Sequence, residues 1–199
     1  MIAPSELIIN PDGSCFHLHL KPEQLADKII MVGDPDRVNT VASYFDTKEC
    51  EVSSREFHTI TGTYKGKRIT TLSHGIGTDN IDIVLNELDA LANIDFASRT
   101  IKPEFRQLTM VRVGTSGGLQ PFVPVGTYVA AGKSIGFDGV LYFYAGSEEV
   151  RDKAFESELI RQLEWKLNDI KPYVVSADPS LVEQITQNDI IRGVTIAAN

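Results

Sequence analysis

Arg112 is the residue of this sequence whose surroundings point most directly to chemistry. It interrupts an otherwise apolar segment, residues 107–113, and stands two residues before the turn Gly114-Thr115-Ser116-Gly117-Gly118. We predict that the segment is a buried strand, in which a guanidinium needs an anion or a carboxylate because an unpaired buried charge is very costly. Glycines let backbone N–H groups approach a ligand, and Thr115 and Ser116 add hydroxyl groups. The pattern therefore predicts a binding site for an anion.

Two further glycine-bearing turns follow predicted strands. Gly33-Asp34-Pro35-Asp36-Arg37 comes after residues 28–32, and Ser73-His74-Gly75-Ile76-Gly77 comes after residues 68–72. Ligands of open α/β sheets gather beyond the carboxyl ends of strands, so we expect all three turns at one site. Taken singly, each glycine turn is more simply a turn, and Arg37 a solvated surface residue. The sequence contains no Walker A lysine motif and its glycine spacing does not fit a dinucleotide fingerprint, so neither common nucleotide motif applies.

Alternating strand and helix patterns must position these turns. We predict strands at residues 28–32, 59–64, 68–72, 107–113, 123–131 and 193–199, and helices at residues 38–45, 81–92 and 151–168. Residues 57–73 form a predicted hairpin, the first twenty or so residues an irregular arm, and residues 96–106 a loop. The sequence has no internal repeats or linkers. The pattern therefore predicts a single α/β domain over residues 1–199, with helices on both faces of the sheet.

The composition indicates an ordinary soluble protein and disfavours several partners. Of 199 residues, 42% are hydrophobic and 23% charged, and the net charge of −8 repels nucleic acid and anionic membranes. Cys15 and Cys50 form neither a metal-binding nor a disulfide pattern, which favours a cytoplasmic location. His19, His58 and His74 form no metal-ligand pattern, and we assign them a structural role. The sequence has no signal-peptide pattern and no apolar run of membrane-spanning length.

Five short motifs follow one another along the chain. They are Phe16-His17-Leu18, Gly33-Asp34-Pro35-Asp36-Arg37, Ser54-Arg55-Glu56-Phe57, Ser73-His74-Gly75-Ile76-Gly77 and Arg112-Val113-Gly114-Thr115-Ser116-Gly117. In this order they resemble the F-H-L, GDPDR, HREF, S-x-G-I-G and R-I-G-T-x-G motifs of uridine phosphorylases, in the nucleoside phosphorylase family. The resemblance implies a three-layer αβα sandwich with a central mixed, twisted sheet. It also implies that the family's base-reading segment and C-terminal helix would lie beyond residue 199, so we expect a chain with its C-terminal part missing.

The resemblance further implies a phosphate site. The residues that match the family's phosphate ligands within one subunit are Gly33, Arg37, Arg112 and Thr115. Arg55 would reach the same phosphate from a neighbouring subunit. Arg112 and Thr115 would be the catalytic residues, since they hold the attacking phosphate against the sugar.

Other matching residues imply contacts to the nucleoside and to a cation. His17 would cross the subunit interface to the ribose, which Thr115 would also contact, and Ser116 and Gly117 would contact the base. Without the resemblance, His17 is more simply a histidine in a mobile arm and Glu56 a surface ion-pair partner. The matches to a monovalent cation site, for potassium at the dimer interface, are Glu56, Ile76 and Asn80, the last in place of the family's serine.

The activity implied by the resemblance is phosphorolysis of a nucleoside, with phosphate as co-substrate and no other cofactor. The motifs at residues 33–37 and 54–57 favour uridine, while purine specificity stays open. Sites shared between subunits imply a homo-oligomer, a dimer or a trimer of dimers. Two alternatives remain: a catalytically silent domain that binds phosphate or assembles with partners, and a nucleosidase-type hydrolase of the same fold.

Overall fold

The computed structural model describes residues 1–167, 169–187 and 190–197, which form two compact units, Met1–Thr115 and Ser116–Asn199. The first unit contains strands β1 (Lys28–Val32), β2 (Thr47–Ser54), β3 (Phe57–Tyr64), β4 (Lys67–Ser73), β5 (Ile94–Asp95), β6 (Thr100–Ile101) and β7 (Thr109–Val113), with helices α1 (Pro35–Ala42) and α2 (Thr78–Asn93). The second contains helices α3 (Ser147–Val150), α4 (Lys153–Gln162) and α5 (Pro179–Ile185), with strands β8 (Val129–Gly136), β9 (Tyr173–Ser176) and β10 (Ile191–Ala197).

The five-stranded sheet of the first unit is mixed, in the order β2-β3-β4-β1-β7. β1 lies parallel between β4 and β7, whereas β2, β3 and β4 form antiparallel hairpins. Val32 pairs with both Ser73 and Val113, so three parallel strands end level with one another. The predicted strand at 28–32 and the predicted hairpin are confirmed, and the level strand ends bring the three glycine-bearing turns to one edge of the sheet.

Helices α1 and α2 cover opposite faces of this sheet. Met31 packs in a buried cluster with α2 residues such as Leu88, whereas the next residue, Val32, packs in a second cluster with Val38 of α1. Successive residues of a strand point to opposite faces, so the two clusters lie on the two sides of β1. The predicted arrangement of a sheet between two helical layers is confirmed.

The N-terminal arm is irregular, as predicted, but it is part of the core. Its described pairing is one bridge between Ile9 and Cys15. Cys15, Leu18 and Leu20 are each 0% exposed and pack in the same cluster as α2. Burial of three side chains ties the arm to the sheet, because apolar area removed from water stabilises the packed state.

The second unit contains a three-stranded sheet in the order β10-β8-β9, in which β10 is parallel and β9 antiparallel to β8. A buried ion pair joins Arg151 Nη2 to Glu156 Oε2 at 2.8 Å, and Glu156 Oε1 accepts the backbone N–H of Val174 at 3.0 Å. These bonds fix α4 against β9, since removing either partner would leave a buried charge unpaired.

The helix predicted at residues 151–168 is shorter than its apolar spacing indicates. α4 ends at Gln162, and Glu164 takes a left-handed backbone angle, φ +48°. The Glu164 N–H donates to the Arg161 carbonyl at 3.3 Å and the Trp165 N–H to the Ile160 carbonyl at 3.1 Å. This pair of bonds is a Schellman motif, which closes a helix. The prediction of a helix through residue 168 was therefore wrong at its end, and Asn168 itself lies outside the described residues.

Other element boundaries also differ from the predictions. The strand expected at 123–131 begins later, as β8 from Val129, and α1 begins at Pro35 instead of residue 38. The predicted loop at 96–106 contains β6, which pairs with β5 just before the loop. The strands β2 and β9 and the helices α3 and α5 were not predicted. The final strand is confirmed as β10, with Ala198 and Asn199 outside the described residues. Within the described part of the chain, no helix has the length and apolar character needed to cross a membrane.

Candidate functional site

The turn after β1 lies beside the turn after β4. A Cβ built on Gly33 would stand 3.8 Å from His74 Cε1 and 3.7 Å from the Gly75 carbonyl oxygen. Asp34 caps α1 by accepting the Asp36 N–H at 2.9 Å, with Pro35 in the first helical turn, where its missing N–H costs nothing. The GDPDR turn thus ends in a helix N-terminus, where backbone N–H groups favour an anion.

Arg37 follows in the first turn of α1 and is half-buried. Among the described residues, no carboxylate forms an ion pair with its guanidinium, although Asp34 and Asp36 are its neighbours in sequence. Its backbone N–H is used within the turn, donating to the Asp34 carbonyl at 3.1 Å. The side chain is therefore available to an external anion.

Arg112 is exposed, so the predicted buried strand was wrong in this respect. β7 is an edge strand of the first unit's sheet, and Met110 and Val113 on it are also exposed, at 39% and 52%. The guanidinium nevertheless has a defined partner, because Nε donates to His74 Nε2 at 2.9 Å. It lies against the backbone of Gly114, where a Cβ would be 2.6 Å from Nη1. No carboxylate of the described residues pairs with Arg112.

His74 is 2% exposed, and its backbone N–H donates to the Val32 carbonyl at 2.9 Å. Burial lowers the pKa of His74 below its usual value, and the positive charge of Arg112 lowers it further. A guanidinium can only donate, so Nε2 must accept and the imidazole is neutral in this contact. From the sequence, His74 was assigned a structural role, because it occupies the unspecified position of the S-x-G-I-G motif.

Arg55 and Glu56 form the two-residue turn between β2 and β3, and Arg55 has a left-handed φ of +55°. β3 runs antiparallel to β4, so its first residues lie at the end of β4. Ser73 Oγ donates to the Glu56 carbonyl at 2.8 Å, which fixes the turn there. The topology therefore brings Arg55 to the same edge of the sheet as Gly33 and Arg112.

His17 is held by a buried carboxylate on α2. Glu87, 8% exposed, accepts the backbone N–H groups of His17 and Leu18, each at 2.8 Å, and lies 2.7 Å from His17 Nδ1. The His17 ring packs edge-on against Phe16, with centroids 4.8 Å apart, and the Arg55 guanidinium lies 5.9 Å from the Phe16 ring centroid. The two residues that the resemblance assigns to a neighbouring subunit's site thus share one cluster.

The residues predicted to hold a cation surround Gly75. A Cβ on Gly75, which has φ +67°, would lie 2.8 Å from Glu56 Cγ and 2.9 Å from Asn80 Nδ2, so glycine is required there. Asn80 Nδ2 donates to the Ile76 carbonyl at 2.9 Å. The Asn80 amide therefore points its nitrogen, not its oxygen, towards the predicted site. For Asn80 to bind a cation through its oxygen, the amide group would have to flip. The potassium site stays a prediction.

Three predicted residues lie where the two units adjoin in sequence. Thr115 ends the first unit, Ser116 and Gly117 begin the second, and all three are exposed. Their assignments to phosphate, ribose and base stay predictions. A surface cleft of about 490 Å³ at Ala92 and residues 102–106 contains none of the predicted site residues.

The first unit is thus a mixed α/β sheet with arginines and glycine turns at the carboxyl ends of its parallel strands, the edge at which open α/β sheets bind their ligands. Residues 27–199 match the model of the phosphorylase superfamily, and the chain belongs to that family.

Individual relatives bear both pyrimidine and purine names. The chain is 30% identical over 137 residues to a uridine phosphorylase of Thermococcus kodakarensis, covering 69% of this chain and 44% of that protein. It is 37% identical over 116 residues to a DeoD-type purine nucleoside phosphorylase of Levilactobacillus brevis, covering 58% and 44%. The crystal structure of a Trypanosoma brucei nucleoside phosphorylase described as showing uridine phosphorylase activity superposes with a TM-score of 0.81 at 31% identity, covering 97% of this chain and 69% of that one. The chain thus spans less than half the length of these two curated relatives.

Proposed function

We propose that this chain forms the phosphate- and ribose-binding part of a nucleoside phosphorylase, with uridine as the nucleoside. One observation carries the proposal: Arg112 lies near the end of β7, level with the end of β1, beside two glycine turns. Its described partner is a neutral histidine. A guanidinium without a carboxylate partner is suited to bind a phosphate dianion. The motifs at residues 33–37 and 54–57, and the Trypanosoma brucei relative, favour uridine over a purine nucleoside.

In the proposed reaction, a phosphate oxygen attacks the anomeric carbon of the ribose. The glycosidic C–N bond breaks, its electron pair leaves with the base, and the base takes up a proton. Arg112 and Arg37, with Arg55 from a neighbouring copy and the Thr115 hydroxyl, orient the phosphate, whose charge stabilises the oxocarbenium-like sugar. His17 would contact the ribose, and Ser116 and Gly117 the base. The products are ribose 1-phosphate and free base.

The arrangement favours a phosphorylase over a hydrolase. A nucleosidase needs a positioned water and has little use for several arginines directed at one anion. We further propose a homo-oligomer, because residues of the site are assigned to a neighbouring copy. We also propose a cytoplasmic location, because Cys15 and Cys50 form no disulfide pattern.

The deciding experiment follows base release from uridine and from inosine by the 199-residue chain, with and without phosphate. We expect uracil release that depends on phosphate and is lost in Arg112→Ala, with inosine the poorer substrate. Release without phosphate would identify a hydrolase. Phosphate binding without any release would identify the silent, phosphate-binding alternative, and faster release from inosine would identify a purine enzyme.

A further inference from the structure

Arg112 is held through one edge of its guanidinium only. Nε donates to His74 at 2.9 Å, while Nη1 and Nη2 have no partner among the described residues. Gly114 supplies the space in which the guanidinium lies, since the positions of Nη1, Cζ and Nη2 are 2.6, 3.1 and 3.3 Å from where its Cβ would be. Both Nη groups therefore stay open to a ligand while the Nε edge is fixed.

His74 is held by its burial and its backbone, whereas its buried ring Nδ1 has no hydrogen-bond partner among the described residues. It is 2% exposed, its backbone N–H bonds to Val32 on β1, and its ring lies beside Gly33. A buried acceptor restricts the conformations of the arginine side chain that donates to it, which lowers the entropy lost when that arginine binds a ligand. A neutral acceptor does this without competing for the positive charge, whereas a carboxylate would neutralise the guanidinium.

We propose that His74 is a positioning residue, whose Nε2 fixes the Nε edge of Arg112 so that both Nη groups are presented to phosphate. The inference rests on the proposed function, because it assigns to His74 a part in the same phosphate site. His74 does not touch the phosphate in this scheme; it acts through Arg112.

The first test needs no phosphate. In nitrogen-15-labelled protein, the Arg112 Nε–H signal, assigned by its loss in Arg112→Ala, should exchange slowly with water. His74→Leu should abolish that protection. His74→Gln, whose side-chain oxygen can reach the place of Nε2, should keep it. An Nε–H that exchanges rapidly in the unmodified protein would overturn the inference.

The second test is inorganic phosphate binding, measured by calorimetry on the full chain. We expect His74→Leu to raise the dissociation constant on the order of tenfold, the loss of one charge-assisted hydrogen bond, and His74→Gln to recover most of it. His58→Leu is the matched control, because His58 contacts Ser53 and Glu51 instead of an arginine. Circular dichroism checks that each variant is folded, and the glutamine variant keeps the test valid where leucine disturbs packing.

A double-mutant cycle separates positioning from a general structural effect. In an Arg112→Ala background, His74→Leu should weaken phosphate binding no further, because its effect passes through the arginine. Additive losses would overturn the inference. Binding that needs Arg112 but is unchanged in His74→Leu would overturn the inference alone, whereas binding that is indifferent to Arg112→Ala would overturn the proposed function as well.

Discussion

The space above Gly114 is occupied by the guanidinium of Arg112, and a side chain there would compete for it. A Cβ would stand 2.6 Å from Nη1, at the flexible end of a side chain, so the arginine and not the backbone would move. We expect Gly114→Ala to fold normally and to weaken phosphate binding roughly tenfold, since a displaced guanidinium loses one charge-assisted contact.

Gly132→Ala on β8 is the matched control, because the nearest atom to its Cβ would be 3.8 Å away, an ordinary contact. Calorimetric titration with phosphate measures both variants. Equal affinities in Gly114→Ala and the unmodified chain would show that the rotamer of Arg112 does not matter for the anion.

At this scale the sequence identified Arg112 for a partly mistaken reason. We expected a buried charge in need of an anion, yet the side chain is exposed on an edge strand. The glycine turn beside it was the sounder signal. His74 was missed because its partner lies 38 positions away, and only strand register brings the two together. A single sequence shows residue types and local spacing but no register between distant strands.

Among the elements, the N-terminal arm depends on one carboxylate of α2. Glu87 accepts two arm N–H groups and contacts the His17 ring. Glu87→Ala would leave buried donors unpaired, which costs roughly 1–3 kcal/mol for each group. We expect urea unfolding to show a loss of about 3 kcal/mol in the free energy of unfolding, together with faster proteolysis before Leu20.

Glu49→Ala is the control for that change, because Glu49 pairs with Arg68 at 2.7 Å in a largely solvated setting. An exposed ion pair contributes about 1 kcal/mol or less, so this variant should remain close to the unmodified chain. Equal losses in the two variants would contradict an anchoring role for Glu87.

The ends of helices and strands are where local sequence patterns predicted the structure least well. The apolar spacing of residues 155–167 continues past the point at which α4 ends, because Glu164 closes the helix in a left-handed conformation that glycine usually provides. The hairpin of β3 and β4 was predictable because its partners adjoin in sequence. β2 carried no comparable signal, because most of its residues are exposed and few are apolar.

For the whole molecule, the position of β1 between β4 and β7 is the feature that assembles the site. β1 lies between β4 and β7, which are distant from it in sequence, and its pairing with both makes the three turns adjacent. Motif order predicted that these turns belong together, but the strand order that achieves it is set by long-range packing. The acidic net charge of −8 leaves the arginines of this edge as a local exception that can attract an anion.

The proposed sharing of sites between copies gives a test at the scale of the assembly. If Arg55 serves a neighbouring copy's site, Arg55→Ala and Arg112→Ala each weaken phosphate binding at every site of a uniform oligomer. In a dimer of one Arg55→Ala chain and one Arg112→Ala chain, one site then lacks both arginines and the other site has both. Co-expression of the two variants should therefore restore phosphate binding at about a quarter of all sites, as random pairing of two-fold partners requires.

Calorimetric stoichiometry measures that fraction, with native mass spectrometry to count mixed oligomers. Mixed oligomers that bind no more phosphate than either variant alone would place Arg55 in the site of its own chain.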